Sequence, residues 1–214
     1  MLGVSQDEFI KAVRDALADR GRPVEPPASR EVARVVGRSD DLVGRFCAMA
    51  ADAKMKLYRA ADDSAVPGTV VNILKSIDAR TAIINDEPLP NREALLAAVR
   101  AAGCTLLDLR EKDSPFEADV GITGVRLAIA ETGSIVVTSG PQMRRLASLA
   151  VPEHIAIVRT GQIVPDLLDW AATLGTSLPA NEVLITGPSK TADIEMNLVM
   201  GVHGPRNVHI VLVG

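Results

Sequence analysis

Thr81-Ala-Ile-Ile-Asn-Asp-Glu-Pro-Leu-Pro-Asn-Arg-Glu-Ala-Leu-Leu-Ala-Ala-Val-Arg-Ala-Ala-Gly-Cys-Thr-Leu-Leu-Asp-Leu109 reads as strand, helix, strand, and that unit decides the fold class. Thr81–Asn85 and Thr105–Leu109 are short apolar runs of strand length, with a helix predicted over Arg92–Ala101 between them. Pro88 and Pro90 stand ahead of that helix, where a missing N–H donor costs least. Gly103 follows it, where a helix stop is expected.

The same alternation extends outward. A strand near Met55–Tyr58 and a helix from about Pro67 to Ile77 lie upstream. Downstream come strand Ile155–Arg159, a helix at about Val164–Leu174, strand Val183–Thr186, a helix at about Ala192–Met200 and strand Val208–Val213. Repeated units of this kind predict an α/β fold, a mostly parallel Rossmann-like sheet with helices on both faces. One insertion breaks the rhythm. Val125–Ala130 and Ser134–Thr138 flank Glu131-Thr132-Gly133, which predicts a β-hairpin with Gly133 supplying the positive φ of a tight turn.

Residues 5–19 form an amphipathic pattern with Phe9, Ile10, Val13 and Leu17 on one face, and Gly21–Pro27 reads as an extended linker. The expected organisation is an N-terminal helical arm and linker over residues 1–27 and an α/β domain over 28–214. That domain opens with a helical stretch at about 30–52, broken near Gly37–Ser39, where Ser39 or Asp40 could cap the second half.

Bulk composition narrows the function. The chain has 214 residues, 47% of them hydrophobic and 23% charged, enough for one well-buried core. Aromatics are 2%, so the core is aliphatic and the stacking platforms of single-strand nucleic-acid binding are missing. A net charge of −4 argues against nucleic acid or an anionic membrane as partner, yet permits a small anion in a local basic pocket. No run reaches the roughly 18 apolar residues of a membrane span, and Asp7 and Glu8 interrupt any signal-peptide pattern, so no membrane insertion and a cytoplasmic location are expected. Cys47 and Cys104 read as buried free thiols, too few for an iron–sulfur cluster.

Four segments carry candidate chemistry. In Leu184-Ile-Thr-Gly-Pro-Ser-Lys-Thr-Ala-Asp193, a strand runs into a small-residue loop that is expected to open a helix. Backbone N–H groups, Ser189, Lys190 and Thr191 would then favour a carboxylate or phosphate near Gly187; equally, Ser189 or Thr191 could simply cap the helix. In Ala128-Ile-Ala-Glu-Thr-Gly-Ser134, Glu131 sits among apolar residues, a setting that suits an acid, base or nucleophile, with Thr132, Gly133 and Ser134 beside it. The bland reading is a solvated turn. Asp119-Val-Gly-Ile-Thr-Gly124 and Gly201-Val-His-Gly-Pro205 bring small residues to element ends; Thr123, Gly124 and His203 are the candidates there. Gly121 and Gly124 are placed in the hairpin region, with no Rossmann helix after them, and no dinucleotide fingerprint is present. His154 and His209 read as structural, and the three histidines lack zinc-site spacing, so no metal is expected.

Taken in order, Asp119–Gly124, Ala128–Ser134, Pro152–Val158, Ile185–Glu195 and Gly201–Pro205 resemble the LUD-domain family of lactate-utilisation proteins. The resemblance implies a fold like that of ribose-5-phosphate isomerase, glucosamine-phosphate isomerase and the CoA transferases. It also implies a three-protein system oxidising L-lactate to pyruvate, in which partner subunits carry the iron–sulfur clusters. This chain would be the non-redox accessory subunit, with no cofactor of its own and a small carboxylate or phosphate as ligand. The alternative is a stand-alone isomerase- or CoA-transferase-like enzyme using Glu131, with Lys190 as anion clamp and His203 as a further candidate.

Overall fold

The computed structural model describes residues 5–18, 32, 34–140, 143–175, 179–192 and 198–214. The chain divides into two compact units, Met1–Ala33 and Arg34–Gly214. In the first, α1 spans Gln6–Ala18. Ser5 and Glu8 close a capping box: Glu8 N–H donates to Ser5 Oγ, and Ser5 N–H donates to the Glu8 carboxylate at 2.8 Å. Phe9, Ile10, Val13 and Leu17 form an exposed stripe. The predicted linker lies outside the described residues.

The second unit runs α2 (Leu42–Asp52), β1 (Lys56–Ala60), α3 (Val66–Ser76), β2 (Thr81–Ile84), α4 (Arg92–Ala101), β3 (Thr105–Leu106) and α5 (Ser114–Glu117). Then come β4 (Val120–Gly124), β5 (Leu127–Ile129), β6 (Ser134–Ser139), α6 (Leu146–Leu149), β7 (Glu153–Arg159), β8 (Ile163–Val164) and α7 (Leu167–Ala172). β9 (Asn181–Ile185), β10 (Lys190–Ala192), β11 (Leu198–Met200) and β12 (Asn207–Val213) complete it.

Six strands form an all-parallel sheet in the order β1-β12-β7-β4-β2-β3. Alternate side chains feed two cores. Val120, Ile122, Ile155, Ile157, Val211 and Val213 pack with Val70, Ile73 and Leu74 of α3 and Leu95 and Val99 of α4. Ala156, Val158, Val208, Ile210 and Leu212 pack with Phe46 and Ala50 of α2 and with Ala128, Ile135 and Val137 of the hairpin. The hairpin belongs to a second sheet, β8-β5-β6-β9, which covers that face with α2. Burial on both faces explains why the central strands are continuously apolar.

Several expectations are corrected. Gly121 and Gly124 do not belong to the hairpin region: β4 is a central strand of the parallel sheet, and both glycines lie in it. Gly121 is required there because a Cβ would come within 1.7 Å of the Ala147 carbonyl oxygen of α6. The helix predicted at Ala192–Met200 is instead a ribbon, with β10 antiparallel to β11 and Lys190 opposite Met200; residues 193–197 lie outside the described set. Residues 34–41 are not helical, and α2 begins at Leu42. Its cap is Asp41, which accepts from Gly44 N–H at 2.9 Å, while Asp40 closes a turn by accepting from Gly37 N–H. Cys104 is buried as expected, but Cys47 is only half-buried; both are free thiols. Among the described residues, no helix is long and apolar enough to cross a membrane.

Chain direction defines two poles of the parallel sheet. After β2 the chain leaves through α4 to β3 on one side; after β4 it leaves through the hairpin to β7 on the other. The loops therefore diverge between β2 and β4, and a crevice opens at the carboxyl ends of these strands, where open α/β sheets hold their ligands.

Candidate functional site

At that switch point the β2–α4 loop carries Glu87, which is buried. Gly124 N–H, at the end of β4, donates to Glu87 Oε1 at 2.6 Å. Asn85 is fully buried beside it. Its backbone N–H extends the β2–β4 ladder by donating to Ile122 O at 3.2 Å, and its side-chain oxygen accepts from Arg144 N–H at 3.1 Å. Asn85 Nδ2 lies 3.4 Å from Glu87 Oε1. The adjoining cavity is about 230 Å³, walled by Leu89, Val125, Met143 and Ile157 and rimmed by Arg159 and Gln162. A side chain at Gly124 would press on Leu89 and lie in contact with the Glu87 carboxyl, so glycine keeps this space open.

Burial raises the pKa of Glu87; the bonds from Gly124 and Asn85 and the charge of Arg92 only partly offset it. A carboxyl in this condition holds its proton more tightly than an exposed glutamate does. Arg159 supplies the positive charge at the rim. It forms a two-pronged pair with Asp63 at 2.6 and 2.7 Å, both side chains about half exposed. Gln162 is committed to structure, accepting from Arg159 N–H at 2.8 Å and donating to Val125 O at 2.6 Å. The arrangement sets a half-exposed guanidinium and a carboxyl of raised pKa around an apolar floor of a size for a small carboxylate.

Of the residues singled out from sequence, Gly124 alone lines this crevice. Thr123 is buried one position earlier in β4, with its Oγ1 2.9 Å from His154 Nε2. The others gather at the opposite pole, where the strands begin. Thr132 and Ser134 of the hairpin join Thr186 in a chain of hydroxyls, with Oγ–Oγ separations of 2.7 and 2.6 Å. Gly133 and Gly187 both take positive φ and press on the end of α2: a Cβ would fall 2.3 Å from Ala50 N and 2.2 Å from Ala53 O respectively. Ser189 is locked between Gly201 and Pro205, its N–H donating to Pro205 O at 2.8 Å and its carbonyl accepting from Gly201 N–H at 2.9 Å. Lys190 and His203 are exposed, Thr191 is partly exposed, and Glu131 is half-buried at the hairpin turn. Because Lys190 begins a strand, the Gly187–Thr191 loop opens no helix N-terminus, and the helix end that Gly187 meets is the C-terminal, negative end of α2. These segments form a joint between the hairpin, α2 and the start of β12.

Glu87 and Asn85 were not among the sequence candidates. Their signal is positional: Asn85-Asp86-Glu87 directly follows a strand of a parallel sheet, at its ligand-bearing end.

Comparison with known proteins adds to this geometry. A sequence profile described as the LUD domain matches residues 43–213. Lactate utilization protein C of Halalkalibacterium halodurans is 35% identical over 144 residues, 63% of this chain and 63% of that protein. Lactate utilization protein C 1 of Bacillus mycoides is 34% identical over 158 residues, 67% of this chain and 68% of that protein. For Lactate utilization protein C of Bacillus subtilis the figures are 41% over 103 residues, 45% and 43%. The chain thus spans from under half to about two thirds of the curated relatives it matches. Among solved structures, a DUF162 family protein from Deinococcus radiodurans has the same fold, with a TM-score of 0.56 at 23% identity, covering 81% of this chain and 96% of that one.

Proposed function

As the chain belongs to the LUD-domain family, we propose that it serves in lactate utilisation as a non-redox subunit that binds a small carboxylate at the Glu87–Gly124 crevice. The observation that carries this reading is the position of the crevice, at the switch point of a parallel sheet, with a buried carboxyl of raised pKa and the Arg159 guanidinium at its mouth. The names of the relatives supply the substrate class: lactate and pyruvate are small carboxylates that suit about 230 Å³. Two isolated thiols cannot assemble an iron–sulfur cluster, so electron transfer falls to partner subunits that carry such clusters. Within such an assembly, Arg159 would pair with the ligand carboxylate while Glu87 exchanges a proton with its hydroxyl or carbonyl oxygen.

The alternative, an isolated isomerase or CoA transferase working through Glu131, draws no support from the geometry. Glu131 stands half-buried on a hairpin turn at the far pole from the crevice.

The reading is tested by anaerobic affinity purification from the native cell, followed by a lactate-oxidation assay. Recovery of iron–sulfur partners with lactate-dependent electron transfer, absent from the isolated chain, is the expected result. A chain recovered alone and without that activity would overturn it.

A further inference from the structure

A second cleft lies on the other side of the Asn85–Asn91 loop, between α4 and the segment that follows β3. It encloses about 350 Å³ over Ile84 and the leucines at 96, 106, 107 and 109, and three arginines, Arg92, Arg100 and Arg110, line it. Arg92, Leu96 and Arg100 recur every four residues, so they share one face of α4 and spread over roughly 12 Å at 1.5 Å per residue. Two carboxylates, Asp86 and Asp108, also line the cleft, which leaves an excess of positive charge on a chain whose net charge is −4.

We propose that this cleft binds a phosphate-bearing small molecule, at a site separate from the carboxylate crevice. Three features support it. Asp86 is about half exposed; Arg92 bonds it at 3.1 Å and Arg110 approaches it only to 3.7 Å, so a stronger anion can displace this surface acid. Asp108 is turned to its own loop, accepting from Arg110 N–H at 2.9 Å, and does not engage Arg100. Finally, Arg92 Nη2 also donates to Asn85 O at 3.1 Å, a bond that keeps its guanidinium in place when Asp86 gives way.

Phosphate fits these donors better than carboxylate. Three guanidinium groups offer more N–H donors than the two oxygens of one carboxylate accept, whereas a phosphate presents three oxygens and nearly two charges. The leucine floor suits the carbon body of such a ligand. The site goes beyond the proposed function: the two clefts share no lining residue, although Arg92 touches both by donating to Asn85 O and by its charge on Glu87.

The test is calorimetric titration of the intact chain with inorganic phosphate and with pyrophosphate, at constant ionic strength, for wild type, Arg100→Ala, Arg110→Ala and Lys190→Ala. Arg100 and Arg110 are exposed, so their replacement leaves the core untouched. Saturable binding to wild type and to Lys190→Ala, weakened at least tenfold by each arginine replacement, is expected. Absence of saturable binding, wild-type affinity retained in both arginine variants, or an equal loss in Lys190→Ala would overturn the proposal. None of these outcomes bears on whether lactate or pyruvate occupies the crevice.

Discussion

Gly124, the last residue of β4, donates its backbone N–H to the carboxyl of Glu87 in the loop after β2, across 2.6 Å. The two strands whose chains part company at the switch point are thus tied together at the crevice itself. A side chain at the glycine would crowd Leu89 and take up space beside the carboxyl. Glu87 consequently has two duties, as a strut between neighbouring strands and as the ionisable group of the pocket.

This dual role has a pH signature. Burial raises Glu87 above the ordinary value of 4.5, so the folded chain holds this proton more tightly than the unfolded chain does. Its contribution to stability is complete below 4.5 and is lost as pH rises through the folded value. Glu87→Gln keeps an acceptor for Gly124 and removes the charge. Its thermal midpoint should match wild type near pH 4 and exceed it near pH 8, where the buried charge of wild type is fully developed. A midpoint at or below wild type at pH 8 would contradict this.

His154 sets the acid limb. Burial, with a smaller effect from the charge of His209, lowers its pKa from 6.5 to about 3. The unfolded chain therefore takes up this proton first, and stability present above 6.5 drains as pH falls toward about 3. His154→Gln retains a partner for Thr123 but has no proton to take up. Between pH 7 and pH 5 its urea-unfolding free energy should fall by roughly 2 kcal/mol less than that of wild type. Equal losses would show that another group controls acid unfolding.

The joint at the opposite pole is tested by its glycines. Gly133→Ala places a Cβ 2.3 Å from Ala50 N at a φ of +66°, and should cost about 2–4 kcal/mol through left-handed strain and overpacking. Gly161→Ala meets nothing within 4 Å and should stay within about 0.5 kcal/mol of wild type. Chemical denaturation of both variants makes the comparison; a near-neutral Gly133→Ala would mean that the hairpin does not bear on α2 as described.

How much of this was legible beforehand depended on how local each signal is. β2, α4 and β3 follow from apolar spacing, with Pro88, Pro90 and Gly103 as punctuation, and α4 occupies the predicted residues. β4 was hidden because Gly121 and Gly124 look like loop residues, and the reasons for them lie in distant residues, Ala147 and Glu87. β10 and β11 were hidden because their pairing is set between Lys190 and Met200, across residues whose pattern also suits a helix. Gly133 supplies the positive φ expected of the hairpin turn, whereas the small-residue motifs at 187–191 and 201–204 suggest ligand loops in the sequence and pack backbone in the structure. The same freedom of a residue without Cβ serves close backbone packing equally well, and a single sequence does not separate the two uses.

The most direct test of the crevice as the ligand site is a titration of wild type, Glu87→Gln, Arg159→Ala, Glu131→Gln and Lys190→Ala with pyruvate and with L-lactate, read as thermal stabilisation. Ligand at about 100 times its dissociation constant should stabilise wild type by roughly 2.7 kcal/mol. Arg159→Ala and Glu87→Gln should lose most of that shift, while Glu131→Gln and Lys190→Ala keep it. Retention in the first pair together with loss in Glu131→Gln or Lys190→Ala would place the ligand at the other pole and contradict the account.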